Sequence, residues 1–579
     1  MTTVSVWAPL PAVVEVVVGR QRYSMDGGER GWWRADVPLR PGEDYGFSLD
    51  GGPVLADPRG GWLPEGVEGP SRALTHKEYA WSDSGWRGVS LPGAVLYELH
   101  IGTFTSEGTF DGAIPRLDHL VELGIDAVEL MPCNAFPGRW GWGYDGVGWY
   151  AVHEPYGGPL ALKRFVDACH ARGLGVIMDV VYNHLGPAGN TLPQFGPYLT
   201  EEHTTPWGAA INLDRPGSDE VRRFILDNAN MWLRDYHCDG LRLDAVHALV
   251  DERALHILEE LRQEVTALGA ELGKPLFLIA ESDRNDPRLV SSPEAGGLGL
   301  DAQWSDDLHH ALHALLTGER FGYYADFGSL STLAKALTGV FVHDGAWSSF
   351  RGHTHGRPVP PGIPGSRFVV CLQDHDQIGN RARGDRISEQ LSDDALKVGA
   401  ALLLTSAFTP MLFMGEEWGT RRPWQYFSDH SGTLGEAIRR GRRAEFADHG
   451  WDPDGVPDPQ SNQTFLDSTL DWSELAQPRS QELLTWYRDL LRLRRAHPDL
   501  ADGRRDRVEV TFDEEAAWCV IRRGAIAVAT NLSEQRQVVP VPGAPEKVLL
   551  ASGPGFVFSD GKVETDAMSV VIVALAAGG

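Results

Sequence analysis

The chain has 579 residues, and its 52 basic and 80 acidic side chains leave a formal charge of −28. Hydrophobic residues at 42% and charged residues at 23% are ordinary globular usage, which excludes a mostly disordered protein. So negative a balance repels phosphate, so no nucleic acid and no membrane surface is expected as a partner, while neutral substrates stay open.

The N-terminus, MTTVSVWAPLP, lacks the basic and long apolar regions of a secretory leader. VSVWAP, VVEVVV, WWRADVPL and DYGFSL then read as strands between Gly- and Pro-marked turns, predicting an N-terminal β-sandwich domain over 1–90. From 91 to 498 short apolar runs alternate with helical periodicity. AVLYELHIG leads into a helix over Ala113–Leu123 and then AVELMP; a helix over Leu160–Arg172 precedes VIMDVV. Helices over Val221–Tyr236 and Glu252–Leu268 flank GLRLDAV, and LFLIAES follows. Leu308–Leu316, FVVCLQ, Ala395–Leu404 and MLFMG complete the series. Such buried strands between helices predict a central (β/α)8 TIM barrel with insertions. A doubly wound sheet is less favoured, because no G-x-G-x-x-G follows the first strand. Val398–Gly415 carries no charge over about the length of a membrane helix, but Thr405, Ser406 and Thr409-Pro410 interrupt it. It reads as a buried helix, a turn and a buried strand over Met411–Met414. After a helix over Gln481–Ala496, six apolar runs from VEVTF to SVVIVALA predict a C-terminal β-sandwich domain over 499–579.

Cys133, Cys169, Cys238, Cys371 and Cys519 are scattered, odd in number and without a C-x-x-C pair. They suit a reducing, cytoplasmic location and argue against both a disulfide framework and a zinc site. Trp, at 19, outnumbers Tyr, at 14; indole faces fill cores, and they also stack on the C–H faces of sugars.

Barrel enzymes hold their catalytic groups at the C-terminal ends of strands. Here those ends carry Asp179 and His184, then Arg242, Asp244 and His247, then Glu281, then His375 and Asp376. One Asp at a strand end is usually a cap or a turn residue, and Arg242 with Asp244 alone is an ion pair on one strand face. Three carboxylates converging on one barrel mouth are harder to explain structurally, since like charges raise one another's pKa. Glycoside hydrolysis needs such a set: an ionised nucleophile and a protonated acid, about 5–5.5 Å apart for retention.

DVVYNH, GLRLDAVH, IAES and DHDQIGN resemble, in order, the four conserved stretches of the α-amylase superfamily. The resemblance implies that Asp244 is the nucleophile, Glu281 the general acid and then base, and Asp376 the stabiliser of the distorted ring. It implies that Arg242 orients Asp244, that His184 and His375 bind the sugar being cleaved, and that Tyr144 in WGYDG is the platform beneath it. Within the superfamily the likeness is closest to the maltooligosyltrehalose trehalohydrolase family, on runs such as ELHIGTFTSEGTF, TPWGAAIN and QWSDDLHHALHALLTGE. That family cleaves the α-1,4 bond next to a terminal trehalose, so maltooligosyltrehalose or a related α-glucan is the implied partner. Asp306, Asp307 and His310 would then border the acceptor-side sugars with His247, Gln377 and Asn380, and Trp304 would offer a stacking face. A helix cap with solvated polar residues explains the SDD run as well. Asp374 stands where relatives commonly carry Asn. Asn183 matches a calcium-binding position of many α-amylases, but no acidic cluster accompanies it, so no metal and no cofactor is expected. A branching enzyme, a general α-amylase and a catalytically silent glucan-binding protein are the alternatives; the last should lose a carboxylate, and all three are present.

Overall fold

The computed structural model describes residues 1–448, 455–559 and 561–576. Eight strands close, in chain order, into an all-parallel barrel: β1 (Leu96–Leu99), β2 (Ala127–Leu130), β3 (Gly175–Val180), β4 (Gly240–Leu243), β5 (Phe277–Ala280), β6 (Ala302–Trp304), β7 (Phe368–Cys371) and β8 (Thr409–Phe413). Each is buried on both faces, which is why most of them read as runs dominated by apolar residues. The sixth is only three residues long and leaves almost no such signal.

Alternate positions of a strand share a face. Leu96, Ala127, Ile177, Phe277, Ala302 and Val369 fill a lower, apolar layer of the barrel. Two residues on, the same inward face carries Glu98, Glu129, Asp179 and Arg242, all almost completely buried. A charged layer thus replaces aliphatic packing just below the catalytic mouth.

Several expected elements begin or end elsewhere, among them two helices and a strand. The helix expected from Glu252 starts at Ile257, because Asp251 accepts from the Ile257 N–H and from the buried Arg222 guanidinium, holding residues 251–256 as a loop. The helix expected over Val221–Tyr236 ends at Asn230 and widens into a π-helical turn over Met231–Asp235. The eighth strand starts at Thr409 rather than Met411; a proline is tolerated near the start of a strand, where its missing N–H costs least.

Residues before the barrel form a three-stranded sheet with Trp32–Val37 central and a second sheet built on Val14–Val18 and Asp44–Leu49. Their connection runs under the barrel, where His170 bridges Asp83 (2.8 Å) and Asp239 (3.1 Å), His237 meets Asp83 (2.8 Å) and Trp86 donates to Asp239 (2.8 Å). Trp86 also stacks on the His170 ring. At the other end, five- and three-stranded sheets enclose Val520, Ala529, Val539, Val563 and Val571, while Ile521, Val528 and Ile572 on the outer face join the main core. Residues 560 and 577–579 of the expected C-terminal range lie outside the described residues. Among the described residues, no helix is long and apolar enough to cross a membrane.

Candidate active site

The site is organised by Arg242. Its guanidinium is fully buried. Nη1 donates to both Asp179 oxygens (3.0 and 2.9 Å) and to Asp244 Oδ1 (2.7 Å), and Nη2 lies 3.8 Å from Glu281 Oε2. Asn183 Nδ2 donates to the Asp244 carbonyl (2.8 Å) and to its Oδ2 (2.7 Å), so both carboxylate oxygens of Asp244 are held. Ala245, next in the chain, adopts φ +40°, a strained conformation for a residue with a side chain. The turn aims its N–H at Glu281 Oε2, 2.6 Å away. Burial, reinforced by Asp244 and Asp376 and only partly opposed by Arg242, pushes the Glu281 carboxyl up to about 8. One carboxylate is thus fixed by a guanidinium donor and an amide donor, one on each oxygen, while its neighbour keeps its proton at neutral pH.

Asp376 sits on the short helix His375–Gly379, its carboxylate about half exposed and accepting from Asn380 Nδ2 (3.2 Å). Two cavities meet at Asp244, Asp376, Asn380 and Trp207. The larger, about 550 Å³, is floored by Tyr144, His184 and His375 and walled by Ile438, Arg442 and Glu445. The smaller, about 340 Å³, is lined by Glu281, His247, Asp306, His310 and Gln377, with Tyr323, Phe350 and Arg351 opposite. Burial lowers His310 to about 3 and raises Asp306 well above the carboxylate range, with Asp374 and Glu281 adding to the latter. His310 therefore faces this cavity uncharged and Asp306 is biased toward its neutral form, which suits a neutral ligand. A third cavity of about 740 Å³ lies at the N-terminal end of the barrel, between 89–92 and 273–277, away from these carboxylates.

Twelve of the fourteen expected site residues converge on this mouth; Asp307 and Trp304 do not line it as expected. Asp307 turns away from the cavity, and its buried carboxylate accepts from the Val342 and His343 N–H groups (2.6 and 3.2 Å) and from Asn285 Nδ2 (3.1 Å). It pins the segment after the neighbouring helix and lines neither cavity. Trp304 points into the barrel, its ring lying 4.5 Å from the Arg242 guanidinium, and is only 5% exposed; it offers no stacking face. Arg242 joins the site through its carboxylate partners and meets no cavity itself. Conversely, Trp207 escaped sequence reasoning although it stands in TPWGAAIN. It tips the hairpin of Leu199–Thr205 and Gly208–Ile211, is 49% exposed and stacks on His184 at 4.6 Å. Ile438, Arg442 and Glu445 were also missed; their i, i+4, i+7 spacing is one helix face, the available signal.

Asn183 spends its amide hydrogens on Asp244, and its Oδ1 meets His184 Nδ1. Among the described residues one His/Asp/Glu trio lies within ligand reach of a common point, His203, Asp214 and Glu252. The Arg215 guanidinium already pairs with all three.

Residues 77–192 match the model of the alpha amylase catalytic domain, and 503–568 match a domain of unknown function, DUF3459. The malto-oligosyltrehalose trehalohydrolase of Arthrobacter ramosus is 58% identical over 544 residues, covering 93% of this chain and 94% of its own. That of Rhizobium sp. (strain M-11) is 51% identical over 578 residues, covering 98% and 97%. A solved structure described as a putative alpha amylase from Salmonella typhimurium superposes with a TM-score of 0.90 at 37% identity, covering 99% of this chain and 97% of that one. With identity of this order sustained over nearly the whole length, the chain belongs to the malto-oligosyltrehalose trehalohydrolase family.

Proposed function

We propose that this chain is a retaining glycoside hydrolase that cleaves the α-1,4-glucosidic bond next to the terminal trehalose of a maltooligosyltrehalose, releasing trehalose and a maltooligosaccharide. The observation that carries the reading is the sharing of one buried guanidinium by two carboxyl groups in different states, Asp244 held by donors and Glu281 held protonated. Two groups on the terminal nitrogens of one arginine favour the short, retaining separation of about 5–5.5 Å over the wider gap that inversion needs. Asp244 attacks the anomeric carbon as Glu281 gives its proton to the departing O4. The glycosyl ester is then opened by water, with Glu281 taking the proton back. Asp376, across the mouth, stabilises the oxocarbenium character of the ring.

The proton donor must face the leaving group. Glu281 lines only the smaller cavity and Tyr144 only the larger. The larger therefore takes the maltooligosyl end, with Tyr144, His184 and His375 beneath the sugar being cleaved. The smaller takes trehalose, met by His247, Asp306, His310, Gln377 and Asn380. His247 Nδ1 is buried without a partner, and a site whose polar atoms are paired only by the right sugar discriminates strongly. We further assign three domains, 1–90, 91–498 and 499–579, and a cytoplasmic location, the latter supported by five buried, free cysteines.

The test is product analysis with maltotriosyltrehalose and maltopentaose. Trehalose and maltotriose should form from the first far faster than the second is cut, with the new reducing end appearing as the α-anomer by early-time proton NMR. Equal rates would make the protein a general α-amylase, α-1,6 branches a transferase, and a first-formed β-anomer would exclude Asp244 as nucleophile.

A further inference from the structure

Between strand β1 and the nucleophile runs an unbroken chain of hydrogen bonds. Glu98 accepts the His375 backbone N–H at Oε2 (3.1 Å) and meets Nδ1 of that ring at Oε1 (2.5 Å). The other ring nitrogen, Nε2, lies 2.8 Å from the Tyr144 hydroxyl oxygen, which is 2.7 Å from Asp179 Oδ2. Asp179 and Asp244 share Arg242 Nη1.

Counting protons fixes the direction of each bond. Asp179 already accepts from Arg242 at both oxygens, so the single Tyr144 proton goes to Asp179. The Tyr144 oxygen can then only accept, and His375 Nε2 must carry a hydrogen. Nδ1 faces a carboxylate that is already accepting from a backbone amide. Both ring nitrogens therefore donate, and His375 is an imidazolium whose counter-ion is Glu98. The titratable groups facing the ring are Glu98 and His100 from β1 and its end, Glu129 from β2, Tyr144, Asp179 from β3, and Asp374 and Asp376 beside it. Against the penalty of burial, the charges of Glu98, Asp376 and Asp374 push His375 up to about 10.

We propose that Glu98, on the first barrel strand, is a positioning residue for the hydrolysis: its carboxylate keeps His375 doubly protonated, and His375 in turn keeps the Tyr144 hydroxyl turned onto Asp179. Without the Nε2 hydrogen, the Tyr144 proton has two acceptors and satisfies one. A lone pair then opposes a lone pair, either at His375 or at Asp179, and the hold on Arg242 and Asp244 loosens. The Tyr144 ring, parallel to His375 within 20°, loses its fixed orientation beneath the sugar. The link to turnover rests on the assignment of the larger cavity to the donor sugar; the protonation of His375 does not.

Two measurements test this. In wild-type protein with 15N-labelled histidine, the His375 signals, assigned against His375→Gln, should report both ring nitrogens protonated and no titration between pH 5.5 and 8.5. Titration near the ordinary histidine value of about 6.5, or one bare nitrogen at neutral pH, would overturn the proposal. In Glu98→Gln, burial remains without the nearest counter-ion, so His375 falls from its raised value, with only Asp374 and Asp376 left to oppose burial, and sheds its second proton at lower pH. kcat/KM on maltotriosyltrehalose should then drop at least about tenfold at pH 7.5 relative to wild type, with the loss shrinking toward pH 5.5 and Glu98→Asp partly restoring the profile. A Glu98→Gln profile with the wild-type shape, whatever its height, would refute the positioning role. Should Glu98→Gln not fold, the titration in wild type decides. Failure of wild type to cut this substrate would instead sink the hydrolysis reading and leave the ring measurement standing.

Discussion

Replacing Asp307 by alanine separates a specificity role from a structural one. The carboxylate is buried and accepts from two backbone N–H groups, of Val342 and His343, and from the Asn285 amide. The amide has a second acceptor in the His343 carbonyl (3.1 Å), so the two N–H groups are the ones orphaned. A buried donor left unpaired costs about 1–3 kcal/mol, so the loss is about 2–6 kcal/mol. Water entering the vacated volume recovers part of it and brings the figure to about 3 kcal/mol. Unfolding entropy of about 2.1 cal/mol/K per residue, applied to 579 residues unfolding together, is about 1.2 kcal/mol/K. The thermal midpoint should therefore fall by about 2–3 °C. Asp307→Asn keeps one acceptor oxygen and should lose about half as much. The assay pairs melting by circular dichroism with the ratio of rates on maltotriosyltrehalose and maltopentaose. A lower midpoint with an unchanged ratio is expected. A collapsed ratio at an unchanged midpoint would show that Asp307 reaches the acceptor sugars after all, and the reasoning from its partners would be wrong.

Asp244→Asn and Glu281→Gln should each lower kcat by several orders of magnitude without changing the circular dichroism spectrum; near-normal turnover by either would remove it from the mechanism. Because Glu281 must carry its proton and titrates near 8, kcat/KM should hold at neutral pH and fall about tenfold per unit well above that value; a profile still flat at pH 10 would identify a different acid. Under the barrel, His170 is raised by Asp239 and Asp83 against its burial, while Asp83 and Asp239 are lowered by His170 despite theirs. The histidine's contribution is complete below about pH 6.5 and is lost as pH rises through its raised folded value; the aspartates' contribution is present above about pH 4 and is lost on acidification. His170→Gln should thus destabilise by about 3 kcal/mol at pH 6 and by less at pH 9, as read by urea unfolding at the two values; an equal loss at both would mean that His170 is neutral in the fold.

The barrel was legible because seven of its eight strands are mainly apolar runs alternating with helical periodicity, most of them followed by polar residues at the catalytic end. The sixth, Ala302–Trp304, is too short to show a period, although the acids that follow it mark its end. Chain order gives the rim on which a side chain sits, but not its azimuth. Asp306 and Asp307 are successive residues of one helix, about 100° apart around its axis. One faces the smaller cavity and the other the segment at Val342. Trp304, two positions from the apolar Ala302 on the same inward face, could have been read as a barrel-core residue from strand alternation alone. Trp207 had no comparable signal, since only tertiary packing brings its hairpin over the mouth. The relay from Glu98 to Asp244 was likewise invisible, because its members come from three strands, the turn after the fourth, a loop and the short helix after the seventh.

The charged layer inside the barrel also constrains the order of assembly. Glu98, Glu129 and Asp179 lie on the first three strands, while the cations that pair with Asp179 and Glu98 arrive later: Arg242 on the fourth, and His375 after the seventh, 277 residues beyond Glu98. A nascent chain folding from its N-terminus that stopped after the third strand would have to seal three carboxylates in an apolar interior with neither cation present, and uncompensated buried charge is strongly destabilising. The early strands therefore cannot settle as a closed half-barrel. They stay solvated or neutralised until the segment carrying His375 has left the ribosome, so the last part of the barrel to be synthesised is what makes the first part tolerable.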